Sequence, residues 1–229
     1  MGVSTKKSRP KKPRWKRRPD ARPNEIANAA LDVFASEGFE AARLDDIAKL
    51  AGVSKGTIYL YFPSKEDLLV ASVEHRIKAN QAKVLPLFIE ATRNADQKLT
   101  KKRFRETFSS VFTRLGEILE SEGMGQVIRV IMAERTRSGR LRKLQAERMG
   151  LAYGIIVDFL NQADKAGAID CPYPDAIARV LAGTVLSFAI VDELLGMEPG
   201  HTIKKEPIEA HKAVLDFLLR GFGLSDGGK

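Results

Sequence analysis

The chain has 229 residues, 44% of them hydrophobic, which is enough for one large or two modest domains around a real core. A single cysteine, Cys171, excludes an internal disulfide framework, fits a reducing cytoplasm, and reads as a small semi-buried hydrophobe rather than a redox sensor. The net charge of +9 is carried by the N-terminus, where ten of the 38 Lys and Arg fall within residues 1–22 against one acid, Asp20, while the rest of the chain is balanced.

Residues 1 to about 20 combine Lys, Arg, Pro and Ser with one aromatic, Trp15, and cannot bury enough apolar area to fold alone. They are expected to form a flexible basic arm. No secretory signal is read here, because charge runs throughout and no apolar region follows. The first helix is expected from about Pro23 to Glu37, with proline in the first turn. Its apolar stripe is Ile26, Ala29, Ala30, Val33 and Phe34, Gly38 stops it, and Phe39 seals a small core.

A second helix is expected near Leu44, with Ile47, Ala48 and Ala51 on one face. Ala48 is small enough for two helix axes to approach closely. Gly52 stands where the backbone must turn with positive φ, Val53 plugs the gap, and Ser54 caps a third helix through a side-chain oxygen. That third helix, Lys55 to about Phe62, begins with Lys55, Gly56 and Thr57, which are polar or small and have no core to fill. Tight helix pairs occur in several folds, but this surface selects a helix-turn-helix, whose second helix offers its N-terminal residues to base edges in the major groove.

The run from Ile26 to Leu69 resembles the DNA-binding domain of the TetR (tetracycline repressor) family of bacterial transcriptional regulators. The marks are Ala29-Ala30, Phe34, Gly38-Phe39, Asp46-Ile47-Ala48, Ala51-Gly52-Val53-Ser54, Thr57, Tyr59, Phe62, Lys65-Glu66 and Leu68-Leu69. The resemblance implies that Lys55, Gly56 and Thr57 face bases while Tyr59, Tyr61 and Lys65 hold phosphates, contacts that fix register without reading sequence. For Tyr61, core packing is an equal alternative. The family usually caps its second helix with Thr or Ser where this chain has Arg43, which leaves Asp45 or Asp46 to satisfy the helix dipole and Arg43 as a phosphate contact or a solvated charge. Lys55 is the one long side chain at the tip, so base readout should be sparse, with guanine as its best partner. Arg14, Lys16, Arg17 and Arg18 of the arm would track phosphates and enter a minor groove, with a solubilising tail as the plainer alternative. The expected DNA-binding set is therefore Arg17, Arg18, Arg43, Ser54, Lys55, Gly56, Thr57, Tyr59, Tyr61 and Lys65.

A fourth helix, opened by Ser64-Lys65-Glu66-Asp67, is expected to run to about Val84 on Leu68, Leu69, Val73 and Ile77 and to be interrupted at Pro86. Thr100 to Glu120 shows Phe104, Phe108, Val111, Phe112, Leu115, Ile118 and Leu119 at helical spacing, and Gly123-Met124-Gly125 should break the helix. A further helix carries Val127, Val130 and Ile131. The next, from about Leu141 to Lys165, places Leu144, Leu151, Ile155, Phe159 and Leu160 inside and ends at Gly167. The last two run from Pro172-Tyr173-Pro174 to about Leu195 and from Pro207 to Leu219, closed by Gly221.

The expected architecture is all-α: an arm at 1–20, a three-helix DNA-binding domain at 21–80 with its motif at 43–62, and a helical bundle at 81–229. The family implies that this bundle binds a small-molecule effector, and Phe108, Phe112, Gln126, Arg129, Tyr153 and Asn161 are the candidate lining residues. Ala178, Ala182, Gly183 and Ser187 form a small-residue ridge that permits close approach of another helix, and the resemblance implies that, with Val214, Phe217 and Leu218, it makes the homodimer interface on the last two helices. Such a two-fold pair suits a palindromic duplex operator. No HExxH, phosphate loop or Cys/His pair argues for an enzyme, and His75, His201 and His211 are scattered, so neither cofactor nor metal is expected. The uncharged run Val180–Val191 is too short to span a bilayer, so no membrane partner is expected either. The resemblance implies a cytoplasmic bacterial homodimer that represses transcription at an operator and is released from DNA by its effector. The rival reading is a ligand-independent protein of the same fold that coats or organises the chromosome.

Overall fold

The computed structural model describes residues 22–93, 99–119, 122–194 and 207–224. Residues 1–20, with Arg17 and Arg18, lie outside that set. The described residues form α1 (Arg22–Ala41), α2 (Leu44–Leu50), α3 (Lys55–Tyr61), α4 (Lys65–Arg93), α5 (Lys101–Leu119), α6 (Glu122–Glu134), α7 (Gly139–Lys165), α8 (Pro174–Leu194) and α9 (Pro207–Gly221). The all-α expectation holds for them.

The expected stripe of α1 is buried, and its axis breaks at Gly38, whose φ of 79° and ψ of 164° only glycine adopts at little cost. Phe39 then folds back on Phe34, with ring centroids 5.7 Å apart. These residues join Ile47 and Ala48 of α2, Ile58 of α3 and Leu68, Leu69, Val73 and Ile77 of α4 in a first core. That core continues into Val127 and Val130 of α6 and Leu141 and Leu144 of α7. The head and body therefore share buried surface across the division expected near residue 80. A second core gathers Val84 and Phe88 of α4 with α5, α7, α8 and α9. Phe104 lies at its centre, stacked on Phe159 at 5.1 Å and on Phe108 at 5.6 Å.

Four local expectations are corrected. Pro86 does not interrupt the fourth helix, which runs unbroken to Arg93. Proline removes one amide donor, the carbonyl it would have served belongs to exposed Ala82, and the buried neighbours Val84 and Phe88 hold the helix in line. Gly123 and Gly125 lie inside the start of α6, where amide groups have no intrahelical acceptor to lose. Leu151 points outward from α7. The C-terminal helix is closed by Gly223, at φ 70°, rather than by Gly221.

Candidate nucleic-acid interface and effector cavity

The turn between α2 and α3 is built as its residues require. Gly52 takes φ 64°, its amide donates to Lys49 O at 3.2 Å, and Val53 N donates to Ala48 O at 2.9 Å, closing the end of α2. Ser54 Oγ then accepts from Thr57 N at 3.1 Å and lies 2.8 Å from Thr57 Oγ1, so the two hydroxyls face each other at the start of α3. Arg43 precedes α2, is exposed, and makes no side-chain cap, while Asp45 and Asp46 occupy the first turn.

Residues 54–56 and 59–61 are exposed, and Ile58 alone of α3 is buried. A Cβ on Gly56 would meet Ser54 Oγ at 3.7 Å, so the backbone here lies open to a close neighbour. Tyr61 sits at the edge of the core, 37% exposed, with its ring 6.5 Å from that of Phe62. Two expected DNA contacts carry other bonds. Lys55 Nζ is 3.1 Å from Asp45 Oδ2. Lys65 Nζ donates to Glu40 O at 3.1 Å and stands 4.9 Å from the centroid of the Phe39 ring, tying the start of α4 to the end of α1. Leu60 was missed by the sequence reading, although it is 77% exposed on the outer face of α3, one turn beyond Gly56. The i, i+4 spacing from Gly56 was the available signal.

Behind this surface the turn between α6 and α7 is clasped to the first turn of α4. Ser138 Oγ donates to Glu66 Oε1 at 2.8 Å and accepts from Leu141 N at 3.1 Å, and Arg140 pairs with Asp67 at 2.7 Å. The Ser64 hydroxyl, and then Arg140, hold the Asp67 carboxyl below the usual carboxylate range. Further along α4, Glu74 pairs with Lys78 at 2.8 Å and with Arg148 of α7. Its carboxyl is lowered by the Lys78 hydrogen bond first and by Arg148 next, against the opposing effect of burial.

Between α4, α5, α6, α7 and α8 lies a cavity of about 430 Å3, within the usual range for small-molecule sites. Phe108 and Phe112 line it. Gln126, Arg129, Tyr153 and Asn161 do not. Gln126 and Arg129 flank the Val127–Ile128 face of α6 and are turned away from it; Arg129 instead borders an open groove of about 480 Å3 between α1 and α6. Tyr153 Oη donates to Asp175 O at 2.5 Å and so joins α7 to α8. Asn161 follows the buried pair Phe159–Leu160 and is rotated off the cavity wall. Among the described residues, the polar side chains that line the cavity are Asn80, Gln81, Arg135 and Gln145. The signal for Asn80 was an amide interrupting the apolar face that Ile77 and Val84 define.

The ridge expected at the dimer interface divides in two. Ala178 is fully buried in the second core and Ala182 lines the cavity, because both lie on the inward side of α8. Gly183 and Ser187 are exposed and share the outward side with Val180. On α9, Phe217 is 70% exposed, whereas Val214 and Leu218 are half-buried and Leu218 packs on the second core. Among the described residues no helix is long and apolar enough to cross a membrane, and no group of three or more His, Cys, Asp or Glu is placed to hold a metal.

Comparison with known proteins places these features in context. Residues 26–72 match the family model described as bacterial regulatory proteins, tetR family, and residues 106–221 match that of the AefR-like transcriptional repressor C-terminal domain. The HTH-type transcriptional regulator RutR of Escherichia coli (strain K12) is 53% identical over 51 residues, which are 22% of this chain and 24% of that protein. The fatty acid metabolism regulator protein of Bacillus subtilis (strain 168) is 43% identical over 53 residues, 23% and 27% of the two chains. The chain thus matches about a quarter of the length of these relatives. A solved TetR-family transcriptional regulator from Mesorhizobium loti superposes with a TM-score of 0.70 at 20% identity, covering 90% of this chain and 98% of that one. The transcriptional regulator FadR from Bacillus subtilis, solved in complex with stearoyl-CoA, gives 0.63 at 22% identity over 86% and 98%. At these identities the likeness is one of fold.

Proposed function

The chain belongs to the TetR family of bacterial regulatory proteins, and from that premise we propose that it is a homodimeric repressor released from a palindromic operator by a small, largely apolar molecule. The observation that carries this reading is the dual service of α4. Its first two turns pack in the core of the DNA-binding head, and residues Ile77 to Phe88 of the same helix form a wall of the cavity. A ligand that fits the cavity better when α4 is tilted favours a state in which the two recognition helices no longer match successive major grooves. It releases DNA only to the extent of that difference in affinity.

On DNA, the exposed tip of α3 enters the major groove, with Lys55 toward a base or phosphate and Tyr59 toward the backbone. Leu60 adds an apolar surface suited to a thymine methyl group. Exposed Val180, Gly183, Ser187 and Phe217 supply the surface through which two copies join. An effector with an extended apolar part is supported by the aromatic and aliphatic cavity walls and by the stearoyl-CoA held in the solved FadR.

A second reading, a sequence-tolerant protein that coats DNA, draws support from the Lys55–Asp45 pair, which leaves the recognition tip with little free charge, and from the basic arm. Footprinting over a range of protein concentrations separates the two. A repressor protects one short palindrome whose extent stays fixed, and a protected length that grows with concentration refutes the regulator reading.

A further inference from the structure

We propose that the cavity selects a ligand whose apolar body carries one uncharged hydrogen-bond acceptor, a carbonyl oxygen, seated on Asn80 Nδ2. The inference rests on the reading of this cavity as the effector site and specifies the chemistry it selects. Asn80 is 8% exposed, lines the cavity, and buries its Nδ2 without a partner among the described residues. A buried amide donor left unpaired forfeits the hydrogen bond it had with water, so native interiors rarely keep one unless something else supplies the acceptor.

The rest of the lining narrows what that acceptor is. Gln81 Nε2 is spent on Arg148 O at 2.9 Å. Gln145 is half-buried, and Arg135 is exposed at the end of α6, so the one charged group on the wall among the described residues stands at the rim. Ile77 and Val84 flank Asn80 on its own helix, and the rest of the described lining is mostly aliphatic and aromatic. A carboxylate seated there would lose its hydration without gaining a cation and is disfavoured, whereas a carbonyl needs a single donor and finds one. Any anionic end of the ligand belongs at Arg135. The hydrogen bond also falls on α4, so the anchoring contact is made to the element that carries the head.

A matched pair of probes tests this on the purified full chain: heptanophenone and heptylbenzene, which share a skeleton and differ in the ketone oxygen. Affinities are read by displacement of the neutral dye N-phenyl-1-naphthylamine. The wild-type chain should bind the ketone at least tenfold more tightly than the hydrocarbon, and Asn80→Leu should abolish that preference, leaving the ketone no tighter than the hydrocarbon, while still binding the hydrocarbon. Equal affinities on the wild-type chain, a gap that survives in Asn80→Leu, or no displacement by either probe overturns the proposal. The wild-type comparison decides alone if the variant fails to fold. Operator affinity is measured in parallel. A ketone preference that depends on Asn80 but leaves DNA binding unchanged upholds the anchor and removes the effector reading.

Discussion

Asp45 is expected to hold the recognition helix below its full affinity for DNA. Its carboxylate is 3.1 Å from Lys55 Nζ, and both side chains are about half exposed, so the pair contributes on the order of 0.2–1 kcal/mol. Lys55 must give up or share this partner to meet a guanine or a phosphate. Asp45→Asn removes the competitor and also one negative charge facing the groove. Operator binding should therefore tighten by about 1.4- to 5-fold, the equivalent of that energy range. The assay is fluorescence anisotropy of a labelled duplex carrying the footprinted site, run on Asp45→Asn, Lys55→Ala and the double variant. Lys55→Ala should lose about 1–3 kcal/mol if it reads a base edge, and the gain from Asp45→Asn should vanish in its background. A gain of equal size with and without Lys55 refutes the reasoning and leaves Asp45 as a source of general repulsion. Weaker binding by Asp45→Asn refutes it outright.

Replacing single operator thymines by deoxyuridine should weaken wild-type binding at one position by about 0.8 kcal/mol, the value of one buried carbon, and should leave Leu60→Ala unaffected; insensitivity of the wild-type chain removes Leu60 from base readout. Ser54→Ala should cost about 1 kcal/mol of stability, read by thermal unfolding as a fall of about 2–4 °C. Removing residues 1–18 should flatten the dependence of log K on log salt by several units, about one for each phosphate that the arm neutralises; an unchanged slope excludes the arm as a DNA contact. Glu74 has a carboxyl held below its ordinary value by Lys78 and Arg148, so its contribution is present above the unfolded-state pKa and lost as pH falls through the folded one. Glu74→Gln should therefore be less stable than wild type near neutrality. The difference should shrink on acidification through the carboxylate range, and denaturant titrations at several pH values check it.

The recognition turn was legible because its chemistry is nearly unique: a glycine at positive φ followed by a serine cap leaves one way to fold. The stripe of α1 and the aromatic face of α5 were equally plain, since burial follows the helical period. What the sequence concealed depends on partners far along the chain. The helix through Pro86 persists because Val84 and Phe88 are packed by other helices, and local propensity carries no trace of them. Lys55 meets a carboxylate ten positions away and Lys65 a carbonyl twenty-five away, contacts that exist once the turn and the Gly38 kink have set their angles. Gln126 and Arg129, expected in the cavity wall, lie one helical step from Val127 and Ile128, which do line it, and one step along a helix swings a side chain by about 100°.

The core that runs from the first four helices into Val127, Val130, Leu141 and Leu144 bears on how such regulators diversify. A reading head grafted from another member, whether by recombination or at the bench, inherits complementary surface on α6 and α7 or else leaves those four side chains facing water. Exchange of operator specificity is therefore easiest by substitutions on the outer face of α3, which touch none of this shared interior. Wholesale replacement of residues 22–80 demands matched changes some fifty positions downstream.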